Sequence, residues 1–217
     1  MPDNSDEQPA DSNEEKDPIT VTATTTPSTP STPPALDDER ADLLAQLATA
    51  RAALTHTTRG LSDEQAGEHP TVSALCLGGL IKHVASIEEG WMRFAVDGPS
   101  AMRYDLPEGV TWADLTAGTA REFPQWAIDH QNDFRMLPGE TLAGIVERYE
   151  QVAARSEKVI ASLPDLSTTH PLPEAPWHEP GAVRNVRRVL MHVIAETAQH
   201  AGHADILRET LDGQTST

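Results

Sequence analysis

The chain has 217 residues and a formal net charge of −18. That length suits one domain plus tails, and an acidic chain whose longest basic cluster is Arg184, Arg187 and Arg188 is not expected to bind nucleic acid. A single cysteine, Cys76, excludes an internal disulfide framework and fits a reducing cytoplasm, and no apolar run is long enough to span a bilayer.

Residues 1–36 are rich first in Asp and Glu, then in Thr, Ser and Pro, with almost no large apolar side chains. Such a stretch cannot bury enough apolar surface to offset its ordering entropy, so a disordered tail is expected. It lacks the basic and apolar regions of a signal peptide. Lysine occurs only at 16, 82 and 158, and alanine is frequent, a composition typical of a high-GC bacterial genome.

A first helix is expected over 38–59, opened by an Asp pair suited to a helix N-terminus, with Leu44, Leu47 and Leu54 on one line. A second is expected over 73–96, with Ser73 as N-cap after Pro70. Residues 97–140 read as a connection with one or two short helices broken at Pro124. A third helix over 141–163 puts Leu142, Ile145, Tyr149, Val152, Val159 and Leu163 on one face, and Pro164 stops it. A Pro-rich loop, 164–181, leads to a fourth over 182–210, with Gly213 just past its end. No alternating strand pattern persists. Four long helices with two longer connections read as an all-α four-helix bundle spanning 37–213.

Two helices carry a polar break on a core-directed line. In the fourth, Val189, Val193, Glu196, His200, His203 and Leu207 advance by three or four residues and so share a face. In the second, His83 interrupts the line Cys76, Leu80, Ile87, Trp91, Phe94. A buried carboxylate beside imidazoles is costly unless something compensates it, and a metal ion would. If the helices face each other, His83, Glu196 and His200 form a three-ligand set, the pattern of catalytic zinc with a fourth position open, suited also to other divalent metals. A lone histidine on an apolar face is more often a hydrogen-bonded core residue, and Glu and His four apart are common on solvated faces. The joint pattern is what points to a metal.

At these residues the sequence resembles the DinB-like superfamily of metal-binding four-helix bundles. The resemblance rests on SALCLGGLIKHVASIEEGWMRF at 73–94 and NVRRVLMHVIAETAQHAGHADILRETLDG at 185–213, and extends over roughly 38–213. The resemblance is to the actinobacterial branch of mycothiol-dependent enzymes, which includes mycothiol S-transferases and maleylpyruvate isomerase. That branch implies an up-down-down-up bundle, often a homodimer, with zinc held at the positions of His83, Glu196 and His200. It also implies mycothiol as co-substrate and a small electrophile as its partner. A thiol must become a thiolate to attack an electrophile, and a zinc ion with an open position can bind and deprotonate it. S-transfer is the leading expectation. The alternatives are a thiol-dependent isomerase, metal-assisted hydrolysis, and a non-enzymatic stress-related bundle that binds ligand or metal.

Around the three ligands, His203 is a candidate to support a ligand or to act as acid or base near the metal, against a place on the helix face at the pocket rim, and His192 is a candidate to orient the Glu196 carboxylate, against packing near the bundle end. Cys76 is expected as a small buried residue, and Trp91 and Phe94 as core. Trp126 and His130 share a face in the connection and are candidates to close a pocket. Arg184, Arg187 and Arg188 suit an anionic substrate or thiol carboxylate, although such clusters are usually solvated. His56, His69, His170 and His178 receive no role. Deleting residues 1–36 is expected to leave the melting temperature nearly unchanged; a large drop would mean that the tail packs on the folded part.

Overall fold

Each long helix begins at a side chain that accepts a hydrogen bond from its free first-turn amides. In the computed structural model, which describes residues 37–215, Asp37 accepts from the Arg40 amide at 2.9 Å and opens α1 (Asp38–His56). The short α2 (Asp63–Gly67) carries a reciprocal capping box between Ser62 and Gln65. α3 (Leu77–Asp97) starts at Cys76, whose Sγ accepts from the Gly79 amide at 3.3 Å. α4 (Trp112–Ala117) and α5 (Gln125–Asp133) lie in the long connection, with Pro124 as the residue before α5. Thr141 caps α6 (Leu142–Ser162), which stops short of Pro164. Asn185 caps α7 (Val186–Asp212), and Gly213 closes it at φ 78°, a left-handed conformation that glycine adopts without strain. The expected tail, 1–36, lies outside the described residues.

Several expected boundaries move. The first helix ends at His56 rather than 59. Ser73 does not cap the second; its Oγ accepts instead from the Leu75 amide at 3.3 Å in a local turn, and the helix opens four residues later. The fourth starts at Val186 rather than 182, because Val183–Asn185 form β2, antiparallel to β1 (Thr169–Pro171) with His170 opposite Arg184. Three-residue strands are too short to show an alternation.

α1 packs on α7, α7 on α3, α3 on α6, and α6 also touches α1. Their apolar side chains form two clusters. One contains Leu47, Trp91, Ile160 and Val193; the other contains Leu54, Ala85, Val152 and Ala201. Full burial of one such leucine or isoleucine contributes about 1.5–3 kcal/mol. Between the two clusters each long helix places one buried polar residue: Arg51 on α1, Glu88 on α3, Ser156 on α6 and Thr197 on α7. Along the chain, α1 and α7 pass from the first cluster to the second, and α3 and α6 pass the other way.

Glu88 is 0% exposed, and a carboxylate so placed needs a charged partner. Arg51 supplies it with a two-pronged contact, Nε to Oε2 at 3.0 Å and Nη2 to Oε1 at 2.5 Å, while Nη1 reaches Glu157 at 3.1 Å. Thr197 satisfies its own hydroxyl on the Val193 carbonyl at 2.8 Å. At the far end Arg208 donates to the Thr57 and Arg59 carbonyls at 2.7 and 2.9 Å, capping the free carbonyls after α1. Glu88→Gln is expected to cost about 3–5 kcal/mol in urea denaturation, because it removes the buried charge opposite Arg51 and leaves only the exposed Glu157 to answer it, whereas Arg51→Met with Glu88→Leu is expected to recover most of that loss.

Candidate metal centre

The position of His83 is set by what docks on the first turns of α3. Gly78 and Gly79 let the chain at 134–136 lie directly on the helix: a Cβ on Gly79 would stand 2.2 Å from the Phe134 carbonyl oxygen, and one on Gly78 would stand 2.4 Å from Met136 Sδ. Lys82, 8% exposed, fastens the same segment through the carbonyls of Asn132 and Arg135 at 3.2 and 2.9 Å and Glu140 at 2.7 Å. Phe134 thereby stacks on His83, with ring centroids 4.0 Å apart and planes 25° apart.

From the other side α7 brings Glu196 and His200. One ligand atom from each of His83, Glu196 and His200 lies within 4.8 Å of the others. Glu196 Oε2 is 3.5 Å from His200 Nε2, and the His83 and His200 rings meet edge to face at 4.8 Å. Burial, followed by the neighbouring His200 and His130, pushes His83 down to about 3, so its imidazole is neutral at neutral pH. Burial likewise lowers His200, against the pull of Glu196. His83 Nδ1 is buried without a hydrogen-bond partner. Two neutral imidazoles, a carboxylate and an unsatisfied buried nitrogen are a donor set that suits a divalent cation.

The three residues singled out in the sequence are therefore brought together. The stripe on α7 is displaced, however. The fully buried line runs Val193, Thr197, Ala201, Ala204, Leu207, and Glu196, His200 and His203 flank it half-buried. Both lines advance by three and four residues, so spacing alone does not separate them. His203 Nδ1 lies 3.3 Å from His200 Nδ1, within hydrogen-bond reach. His192 Nε2 lies 3.8 Å from Glu196 Oε1, too far for a hydrogen bond, and packs edge-on to Trp91 at 5.0 Å. Cys76 is fully buried, as expected, but it also serves as the cap of α3.

Beside the three residues opens a cavity of about 1290 Å³. His83, Glu196 and His200 are not in its wall, but two of their neighbours are: His192, and His130, whose ring lies 5.6 Å from that of His83. Trp126 and His130 both face it, as does His178, which the sequence left without a role. Tyr104, Trp126 and Trp177 add an aromatic wall with centroid separations of 5.2–6.5 Å.

A family model described as Mycothiol-S-transferase matches residues 42–213. The chain belongs to the mycothiol S-transferase family. No curated protein matches the chain significantly. The matched span of this mycothiol S-transferase family member takes in α3, α7, the whole cavity wall and all three clustered residues. None of its helices is long and apolar enough to cross a membrane among the described residues. Sequence reasoning passed over Arg51, Glu88, Lys82 and Phe134. Arg51 lies between Leu47 and Leu54, and Glu88 between Val84 and Trp91, at core spacing, and those polar interruptions were the available signal.

Gly79→Ala forces the Phe134 backbone off α3 and is expected to destabilise the protein by about 1–3 kcal/mol, read as a lower melting temperature. Gly90→Ala on the same helix, where an added Cβ meets nothing within 4 Å, is the control and is expected to be neutral or slightly stabilising.

Proposed function

We propose that the protein transfers mycothiol, or a closely similar low-molecular-weight thiol, to a small electrophile in the cytoplasm, with a divalent cation, zinc by its donor set, held by His83, Glu196 and His200. The observation that carries this reading is the convergence of those three ligand atoms within 4.8 Å beside a large cavity, in a chain of this family. The proposed scaffold is an up-down-down-up four-helix bundle of the DinB-like type. Its support is the closed cycle of pairwise packing and the opposite order in which α1 with α7, and α3 with α6, traverse the two apolar clusters.

His83, Glu196 and His200 would hold the cation, which would supply Lewis acidity to lower the pKa of a bound thiol. The residues of the chain supply the rest. Burial keeps His83 neutral, so that its lone pair is free, and Phe134 fixes the plane of its ring. Glu196 contributes the one negative charge of the set. His200 Nε2 is turned to Glu196, and its Nδ1 lies 3.3 Å from His203 Nδ1; a proton on His200 Nδ1, donated to His203, would hold the tautomer that presents Nε2. A volume of about 1290 Å³ exceeds the roughly 300–1,000 Å³ of a usual single-ligand site and leaves room for thiol and electrophile side by side.

Zinc-loaded protein is expected to consume mycothiol with 1-chloro-2,4-dinitrobenzene well above the uncatalysed rate, and chelation or His200→Ala is expected to remove that gain. His203→Ala is expected to lower metal affinity or turnover by about 10- to 100-fold. Stoichiometric metal without turnover across a panel of electrophiles and thiols would contradict the transferase reading in favour of a non-enzymatic binding role.

A further inference from the structure

The basic cluster at the start of α7 is split three ways. Arg187 is paired with Glu39, and Arg188 is exposed on the first turn of α7. Arg184 lies on β2 and faces the cavity. Its position comes from the hairpin. His170, directly across the ladder, packs edge-on to Phe94 at 5.6 Å and reaches the Ala95 carbonyl at 3.2 Å. Arg184 sits over Trp91, its guanidinium carbon 4.6 Å from the ring centroid. Phe94 and Trp91 are three residues apart on α3, so the two opposed hairpin residues dock on adjacent turns of one helix face.

Arg184 is held in place but is not neutralised. Its Nε is buried without a hydrogen-bond partner, and no carboxylate among the described residues forms an ion pair with it. That is unexpected in a chain with a net charge of −18, where Arg148 and Arg103 in the same cavity wall are paired with Glu89 and Asp105. A guanidinium held over an indole, with its Nε buried and unpartnered and no acid paired to it, is preorganised for a planar anion. The neighbouring wall of Tyr104, Trp126 and Trp177 is aromatic and suits a flat apolar body.

We propose that Arg184, seated on Trp91, recognises a carboxylate or similar anionic group on the electrophile, so that the acceptor is a small anionic molecule with an apolar or aromatic body. This rests on the thiol-transfer reading for its second substrate, but not for the binding itself. In a matched test the sulfur of the thiolate attacks C4 of 4-chloro-3,5-dinitrobenzoate. The C–S bond forms with the sulfur's electron pair, the C–Cl bond breaks with chloride leaving, and the thiol proton passes to buffer. 4-Chloro-3,5-dinitrobenzamide reacts at the same carbon without the charge.

The full-length, zinc-loaded protein is compared with Arg184→Gln and Arg184→Lys in two ways. Calorimetric titration with the unreactive 3,5-dinitrobenzoate and 3,5-dinitrobenzamide needs no thiol and no turnover. Arg184→Gln is expected to weaken the benzoate by about 10- to 100-fold and to leave the benzamide within about twofold, with Arg184→Lys between. The kinetic arm is expected to show the same selective loss in kcat/KM for the chlorinated acid, with the KM for mycothiol unchanged. Equal effects on acid and amide, or no effect on either, would overturn the proposal. So would a rise confined to the thiol's KM, which would assign the anion to the thiol. If neither chlorinated probe turns over, the titration alone decides, and the thiol-transfer reading fails separately.

Discussion

A single polar layer sets the register of the four long helices. Arg51, Glu88, Ser156 and Thr197 lie between two apolar clusters, one from each helix, and the Glu88 carboxylate has no access to water. The Arg51 fork meets it there with both prongs, and Arg51 extends at the same time to Glu157 on α6. A slide of one helix by a single turn, about 5.4 Å, would break that contact and leave a buried charge unpaired. The layer therefore fixes the heights at which the remaining side chains of α3 and α7 meet.

His83 is five residues before Glu88, about 140° around α3 and about 7.5 Å along it. The two polar groups consequently face opposite sides of a helix that is buried nearly all round. Glu88 is answered by an arginine from within the chain. His83 is answered by Phe134 stacking and by the approach of His200 and Glu196, with its Nδ1 left unsatisfied. The contrast is physically informative. One buried polar group is neutralised by protein alone, and the other stands among groups that together suit an external cation. The connection between α3 and α6 serves both ends of the site: its 134–136 segment holds His83, and Tyr104, Trp126 and His130 face the cavity.

The long helices and the three clustered residues were legible because both signals are local. Apolar periodicity marks a helix face; His83 breaks that face on α3, whereas Glu196 and His200 flank the buried line of α7 and share its three- and four-residue spacing. Boundaries were less legible. Ser73 is the better cap by propensity, but the docking of 134–136 on Gly78 and Gly79 starts α3 at Leu77, a contact 58 residues away in sequence that no local pattern reports. The hairpin was missed because three residues per strand cannot show a period, and with it went the separation of Arg184 from Arg187 and Arg188. Arg51 was passed over although it sits between Leu47 and Leu54 at core spacing, since an arginine on an amphipathic helix is ordinarily solvated. The cavity wall draws on the 101–104 segment, α5 and Trp177, and only the tertiary fold assembles them.

The central claim is that His83, Glu196 and His200 hold a cation together, and the most direct measurement is metal content. Untagged protein and its His83→Ala variant, both confirmed folded, would be analysed by elemental mass spectrometry after exhaustive buffer exchange. The account predicts about one zinc or similar divalent ion per chain in the parent and loss of it in the variant, because two remaining ligands hold such an ion poorly. No stoichiometric metal in the parent, or full occupancy retained without His83, would contradict it.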